Sequence, residues 1–123
     1  MIDRYIQVIQ RTMSLTSSSL ECIQYMVYQL EAGNLQQTIQ HLHDLVNAFS
    51  HMERSLLLYL VELPPNEIES LTDDLRDAID SLVAAYEKQD AGKAFHCIQE
   101  LLLPAYLSWK HELERSMLRY TLS

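Results

Sequence analysis

The sequence predicts an all-α protein: an up-down-up-down antiparallel four-helix bundle made of two similar helical hairpins. Three observations carry this expectation. Two glycines and three prolines in 123 residues leave too little turn chemistry for a loop-rich or all-β chain. Apolar residues recur at alternating steps of three and four, the spacing of one helix face. Three short segments, "EAGN", "LPPNE" and "KQDAGK", concentrate the breaking and capping residues.

The first helix is read from Ile2, Ile6, Ile9, Met13, Thr16, Leu20, Ile23, Val27 and Leu30. "SLTSSSL" resembles a break, because serine is a mediocre helix former. The spacing keeps its phase across it, so one continuous helix of about 30 residues and about 45 Å is expected. Gly33 suits the left-handed position after this helix, and Asn34 is expected to cap the next. The second helix, from about Leu35 to Glu62, carries a wide face: Leu35, Ile39, Leu42, Leu45, Val46, Phe49, Met52, Leu56, Tyr59 and Leu60. A face that broad meets more than one neighbour. Pro64 and Pro65 end it, and Asn66 with Glu69 forms the pattern of a capping box for helix three. Helix three carries Ile68, Leu71, Leu75, Ile79, Leu82 and Tyr86. Asp90 is the expected cap of helix four, which carries Phe95, Ile98, Leu102, Tyr106, Trp109, Leu113, Met117 and Tyr120.

The two halves, about 2–62 and 66–121, resemble each other within a single domain. At an offset of 56 residues Ile23 falls on Ile79, Met26 on Leu82, Asn34 on Asp90, Leu42 on Ile98, Leu45 on Leu101 and Val46 on Leu102. Each hairpin alone exposes its apolar stripe, so the two need each other. Pro104 falls on Ala48, inside helix two. A proline in a helix interior removes one hydrogen bond and crowds the preceding turn, at about 3 kcal/mol. The apolar spacing continues through it, so a kinked but continuous fourth helix is expected.

About half of the chain is apolar, 48%, enough for a core without metal or disulfide staples. The formal charge is −8, from 17 acidic and 9 basic residues, and repels phosphate backbones and anionic lipid. Nucleic acid and membranes are therefore not expected partners. "MIDRYIQVIQR" has no apolar signal core, and "SLLLYLVEL", the longest apolar run, is too short to span a bilayer. Cys22 and Cys97 sit inside helical patterns and read as buried thiols of a reducing cytoplasm.

Catalytic patterns are sparse. Four-helix bundles hold paired metals with carboxylates and Glu-x-x-His sequences. No Glu-x-x-His occurs among His41, His43, His51, His96 and His111, so a metal-dependent bundle enzyme is a minor alternative and no cofactor is expected. "ELPPNEIESLTDDLRDAID" gathers Glu62, Glu67, Glu69, Asp73, Asp74, Asp77 and Asp80 against Arg76 alone. It reads as a solvated face, or as a docking surface for a basic partner. Ser17, Ser18 and Ser19 read as an exposed helix face. There is no glycine-rich phosphate loop, Gly-x-Ser-x-Gly or Cys-x-x-Cys.

"KHELERS" resembles the phosphoacceptor box of sensor histidine kinases at His111, Glu112 and Leu113, but Glu114, Arg115 and Ser116 replace its Arg-Thr-Pro turn. "HLHDLVNAFS" is similar to histidine phosphotransfer domains, with Asp44 and Leu45 in place of the Lys-Gly pair after His43. These resemblances imply phosphotransfer through His43 or His111 as an alternative function. The combination of "LEAGNLQQTIQHLHDLV", "LPPNEIESL" and "LLLPAYLSWKHELE" resembles small helical-bundle proteins of Bacillus- and Paenibacillus-type bacteria over nearly the whole chain. In size, acidity and helix content the protein is also similar to flagellar and secretion export chaperones, and this implies the binding of export substrates. The leading expectation is a non-enzymatic, cytoplasmic bundle that binds another protein or itself as a homodimer. Tyr25, Tyr28, Ile68 and Tyr120 are expected at the contact surface, and the Pro104 kink reads as curving helix four around the bundle or, second, as opening a partner groove beside Tyr106 and Trp109.

Overall fold

A computed structural model describes residues 2–121, and every regular element among them is helical. A 3-10 turn at Ile2–Tyr5 leads into α1 (Ile6–Glu31). A second at Gln36–Thr38 leads into α2 (Ile39–Tyr59), which closes in a third at Leu60–Glu62. Helix α3 spans Ile68–Glu87. The fourth helix is continuous from Ala91 to Thr121 and has three parts: α4 (Ala91–Cys97), a π-helical turn (Ile98–Leu102) and α5 (Leu103–Thr121). The all-α expectation is met, with four helices. "SLTSSSL" does not interrupt α1.

The buried stripe of α1 is rotated slightly from the expected one. It runs through Ile9, Thr12, Thr16, Ser19, Ile23, Met26 and Leu30, while Met13, Leu20 and Val27 are half-buried at its border. The small polar residues are admitted because the helix satisfies them locally. Thr12 Oγ1 donates to the Val8 carbonyl at 2.9 Å and Thr16 Oγ1 to that of Met13 at 2.6 Å. Ser19 is also interior, and only Ser17 and Ser18 form the exposed face expected of all three.

The helix ends are built alike in the two halves. Gly33 has φ +81° and Gln89, 56 residues on, has φ +54°. In the first half Gly33 N–H donates to Leu30 O and Asn34 N–H to Gln29 O, both at 2.9 Å. In the second, Gln89 N–H donates to Tyr86 O at 2.9 Å and Asp90 N–H to Ala85 O at 3.2 Å. This is the two-bond closure of a helix C-terminus by a left-handed residue. Asp90 caps α4 as expected, its Oδ1 accepting from Lys93 N–H at 2.9 Å. Asn34 does not cap α2; its side chain turns back and donates to Gln29 Oε1.

The capping box expected before α3 is also absent. Asn66 Oδ1 accepts from Ile68 N–H at 2.9 Å, and its Nδ2 donates to Pro64 O, an Asx turn that leaves Glu69 free to face solvent. The Glu67 amide at the start of α3 donates instead to Glu112 Oε2 of α5 at 2.7 Å.

Helix α1 packs on α2 and on the fourth helix, and α3 packs on the fourth helix; α2 and α3 meet more sparsely. Trp109 sits fully buried at the centre, its ring 6.0 Å from Phe49 and 5.6 Å from Tyr106. Trp109 Nε1 donates to Thr72 Oγ1 at 2.9 Å, and Thr72 Oγ1 donates on to Ile68 O at 2.7 Å. The Tyr106 hydroxyl donates to Thr16 O at 2.6 Å. The polar tips of Trp109 and Tyr106 and the Thr72 hydroxyl each have a partner, which is the condition for burying aromatic residues with polar tips.

The π turn changes the phase of the fourth helix. Before it, Leu42 and Ile98 are both buried, 56 residues apart. After it, the buried positions of α2 recur one residue later: Leu45 with Leu102, Phe49 with Tyr106, Met52 with Trp109, Leu56 with Leu113. Leu101, expected to match Leu45, is exposed. One extra residue is taken up where the Leu103 amide donates to Ile98 O, as a π bulge does. Pro104 follows directly and is solvent-exposed.

Candidate functional site

The titratable and nucleophilic side chains do not converge. His43, His51, His96 and His111 are exposed on three helical segments, and His41 is half-buried with its ring 4.5 Å from that of Tyr25. Among the described residues no three His, Cys, Asp or Glu side chains are grouped to hold a metal ion. Both cysteines are free. Burial pushes the Cys22 and Cys97 thiols above their ordinary range, with Asp44 adding to the effect at Cys22, so neither is a thiolate nucleophile at neutral pH. Each thiol donates to a carbonyl of the adjacent helix: Cys22 to His41 O at 3.5 Å, Cys97 to Ala78 O at 3.8 Å.

Within "KHELERS" the chemistry lies in Glu112. Its carboxylate takes the Arg115 guanidinium at 2.7 and 2.8 Å and the Glu67 amide at 2.7 Å. The Arg115 bonds, together with the Glu67 amide, hold its carboxyl down at about 2. It acts as a strut between α5 and the first turn of α3, where the helix dipole also favours an anion.

Three exposed apolar side chains stand close together in sequence at the end of α2, while others are spread over α1, the start of α2 and the fourth helix. Leu57 is 70% exposed, Leu58 55% and Val61 92%. Leu57 and Val61 border a groove of about 300 Å³ between α2 and α3. Leu56, Leu60, Ile68 and Thr72 line it further in, and Glu53, Glu69, Asp73 and Arg76 rim it. The groove exists because α2 and α3 meet sparsely. Arg76 spans it, pairing with Glu53 of α2 and, at 2.8 Å, with Asp73. At the start of α3, Glu67, Glu69, Asp73 and Asp74 surround another, more open hollow.

The residues expected at a contact surface divide. Tyr25 and Tyr28 are exposed on α1, at 41% and 70%, and Tyr120 is half-buried near the end of α5 with Arg119 over its ring. Ile68, Tyr106 and Trp109 are interior. Trp109 and Tyr106 face inward because the π turn sets their phase and Thr72 and Thr16 receive their polar tips. Ile68 is drawn in because the Asx turn of Asn66 aims the first turn of α3 at the core. Leu57, Leu58 and Val61 were not singled out by the spacing, though "LLL" held the signal. Successive helical residues are about 100° apart, so three in a row cannot share one buried face.

No helix among the described residues is long and apolar enough to cross a membrane. Residues 7–112 match the family described as a domain of unknown function, DUF8042. No curated protein and no solved structure matches the chain.

Proposed function

We propose that this chain, which belongs to the DUF8042 family, is a non-enzymatic protein-binding helical bundle, an adaptor or export-chaperone-like protein working in the cytoplasm. The observation that carries this reading is the exposed apolar row Leu57, Leu58 and Val61 beside an open groove. Apolar side chains that a fold leaves together in water, rimmed by polar groups, mark contact surfaces. The raised thiol pKa values and the scattered histidines favour binding over chemistry.

The architecture we attach to it is the up-down-up-down bundle of two related hairpins, with the fourth helix bent at Pro104. Its support is the repeated C-terminal closure at Gly33 and Gln89 and the π turn before the proline. Phosphotransfer through His43 or His111 has exposure in its favour, but neither histidine is followed by small residues that make room for a docking receiver.

A photo-crosslinking residue at Val61, in cells of the organism of origin, tests the reading. A discrete adduct, identified by mass spectrometry, is expected at Val61, absent at exposed Gln24 on α1, and abolished by Leu57→Asp. No discrete adduct at Val61 overturns it.

A further inference from the structure

The groove between α2 and α3 has walls of one kind and a rim of one predominant charge, and together these restrict what fits it. Both walls are helices whose backbone groups are already bonded within themselves. An extended peptide laid there finds no strand edge to pair with, and its own N–H and C=O groups lose water without compensation. A helix brings its backbone bonds with it, and presents ridges at three- and four-residue spacing to walls built on the same spacing. Leu57, Leu60 and Val61 supply such a row on the α2 side.

The rim holds Glu53, Glu69 and Asp73 against Arg76, and Arg76 is engaged by Glu53 and Asp73. Glu69 is left facing solvent, and Glu67 and Asp74 extend the acidic edge along α3. A second copy of this chain, with a formal charge of −8 and the same acidic edge, meets like charge there. A helix carrying cations beside its apolar ridge meets opposite charge.

We propose that the α2–α3 groove takes an amphipathic helix of a partner protein whose apolar ridge is flanked by lysine or arginine. This rests on the protein-binding reading and names the class of partner.

The test uses the full chain and a fluorescein-labelled synthetic helix of about 18 residues with leucine at every third and fourth position and lysine beside them. Its isomer has glutamate in place of every lysine, and a third peptide has glutamine there. Anisotropy titrations are run at low and high salt. The lysine helix is expected to bind at least about tenfold more tightly than the glutamate isomer, about 1.4 kcal/mol, and to weaken with salt. Leu57→Asp and Val61→Asp each abolish binding, and Glu69→Lys reduces the preference for lysine; circular dichroism confirms that these surface variants keep their helices.

Equal binding of all three peptides overturns the basic chemistry while leaving the groove. Binding indifferent to Leu57→Asp, or no binding, overturns the helix-in-groove assignment. A wild-type dimer in sedimentation that Leu57→Asp dissociates places a second copy in the groove and overturns the proposal. An adduct at Val61 alongside failed peptides keeps the protein-binding reading and removes only this partner class, whereas no adduct removes both.

Discussion

Replacing Glu112 with glutamine keeps the shape of the strut between α5 and α3 and removes its charge. The carboxyl is held at about 2, against an ordinary 4.5, and the full shift corresponds to about 3 kcal/mol of folding free energy. The Glu112 side chain is 10% exposed but that of Arg115 is 55% exposed, so water screens the pair and about 1–2 kcal/mol is the expected loss at pH 7. Because the folded-state pKa lies below the unfolded one, the wild-type advantage is complete above about pH 5 and fades as pH falls from there towards 2. Urea denaturation of wild type and Glu112→Gln at a series of pH values measures this directly. Equal stability at pH 7, or a gap that persists undiminished in acid, refutes the assignment of Glu112 as a charged cap. Glu112→Ala, which also strands the Glu67 amide, is expected to lose more than Glu112→Gln.

Thr72→Val leaves the buried Trp109 Nε1 without an acceptor and is expected to cost about 1–3 kcal/mol, read from the midpoint of the Trp109 fluorescence transition. Gly33→Ala places a Cβ in a left-handed conformation with no atom within 4 Å, so its cost is purely backbone, about 1 kcal/mol. Gln89→Gly, at the matching left-handed position, is expected to stabilise by up to about that amount, and thermal denaturation reports both. Leu57→Asp and Val61→Asp act on exposed positions, and each is expected to shift folding stability by no more than about 0.5 kcal/mol in urea titrations.

The helices were legible because their apolar spacing and their punctuation agreed: Gly33, Pro64 with Pro65, and Asp90 all stand where a helix ends or begins. The details that escaped depend on contacts between distant residues. Glu112 takes the capping role that Glu69 was positioned for in sequence, and only the folded chain brings residues 67 and 112 together. Thr12 stands outside the expected stripe and Ser19 reads as surface, yet both are buried, Thr12 by bonding to the Val8 carbonyl and Ser19 by lying beside the Tyr106 hydroxyl. At the candidate site the acidic stretch of α3 reads from sequence as a solvated face first and as a docking surface for a basic partner second. Its apolar half was missed, because "SLLLYLVEL" was weighed for its length rather than for the directions in which its leucines must point. Tyr106 and Trp109 stand on the apolar stripe the spacing drew for the fourth helix and are buried there; what the spacing could not show is the π turn that keeps that stripe in phase.

That turn has a consequence for how the chain tolerates change in length. Adding or removing a residue in an ordinary stretch of helix swings everything beyond it by about 100°, which in α5 points Leu113 and Met117 at water and acids at the core. At Ile98–Leu102 the surplus residue is already absorbed within one loop of backbone. Losing it there restores the count of the first hairpin and leaves the inward-facing set undisturbed. The segment is thus a place in the fourth helix where the gene can shed a codon while the interior keeps its register.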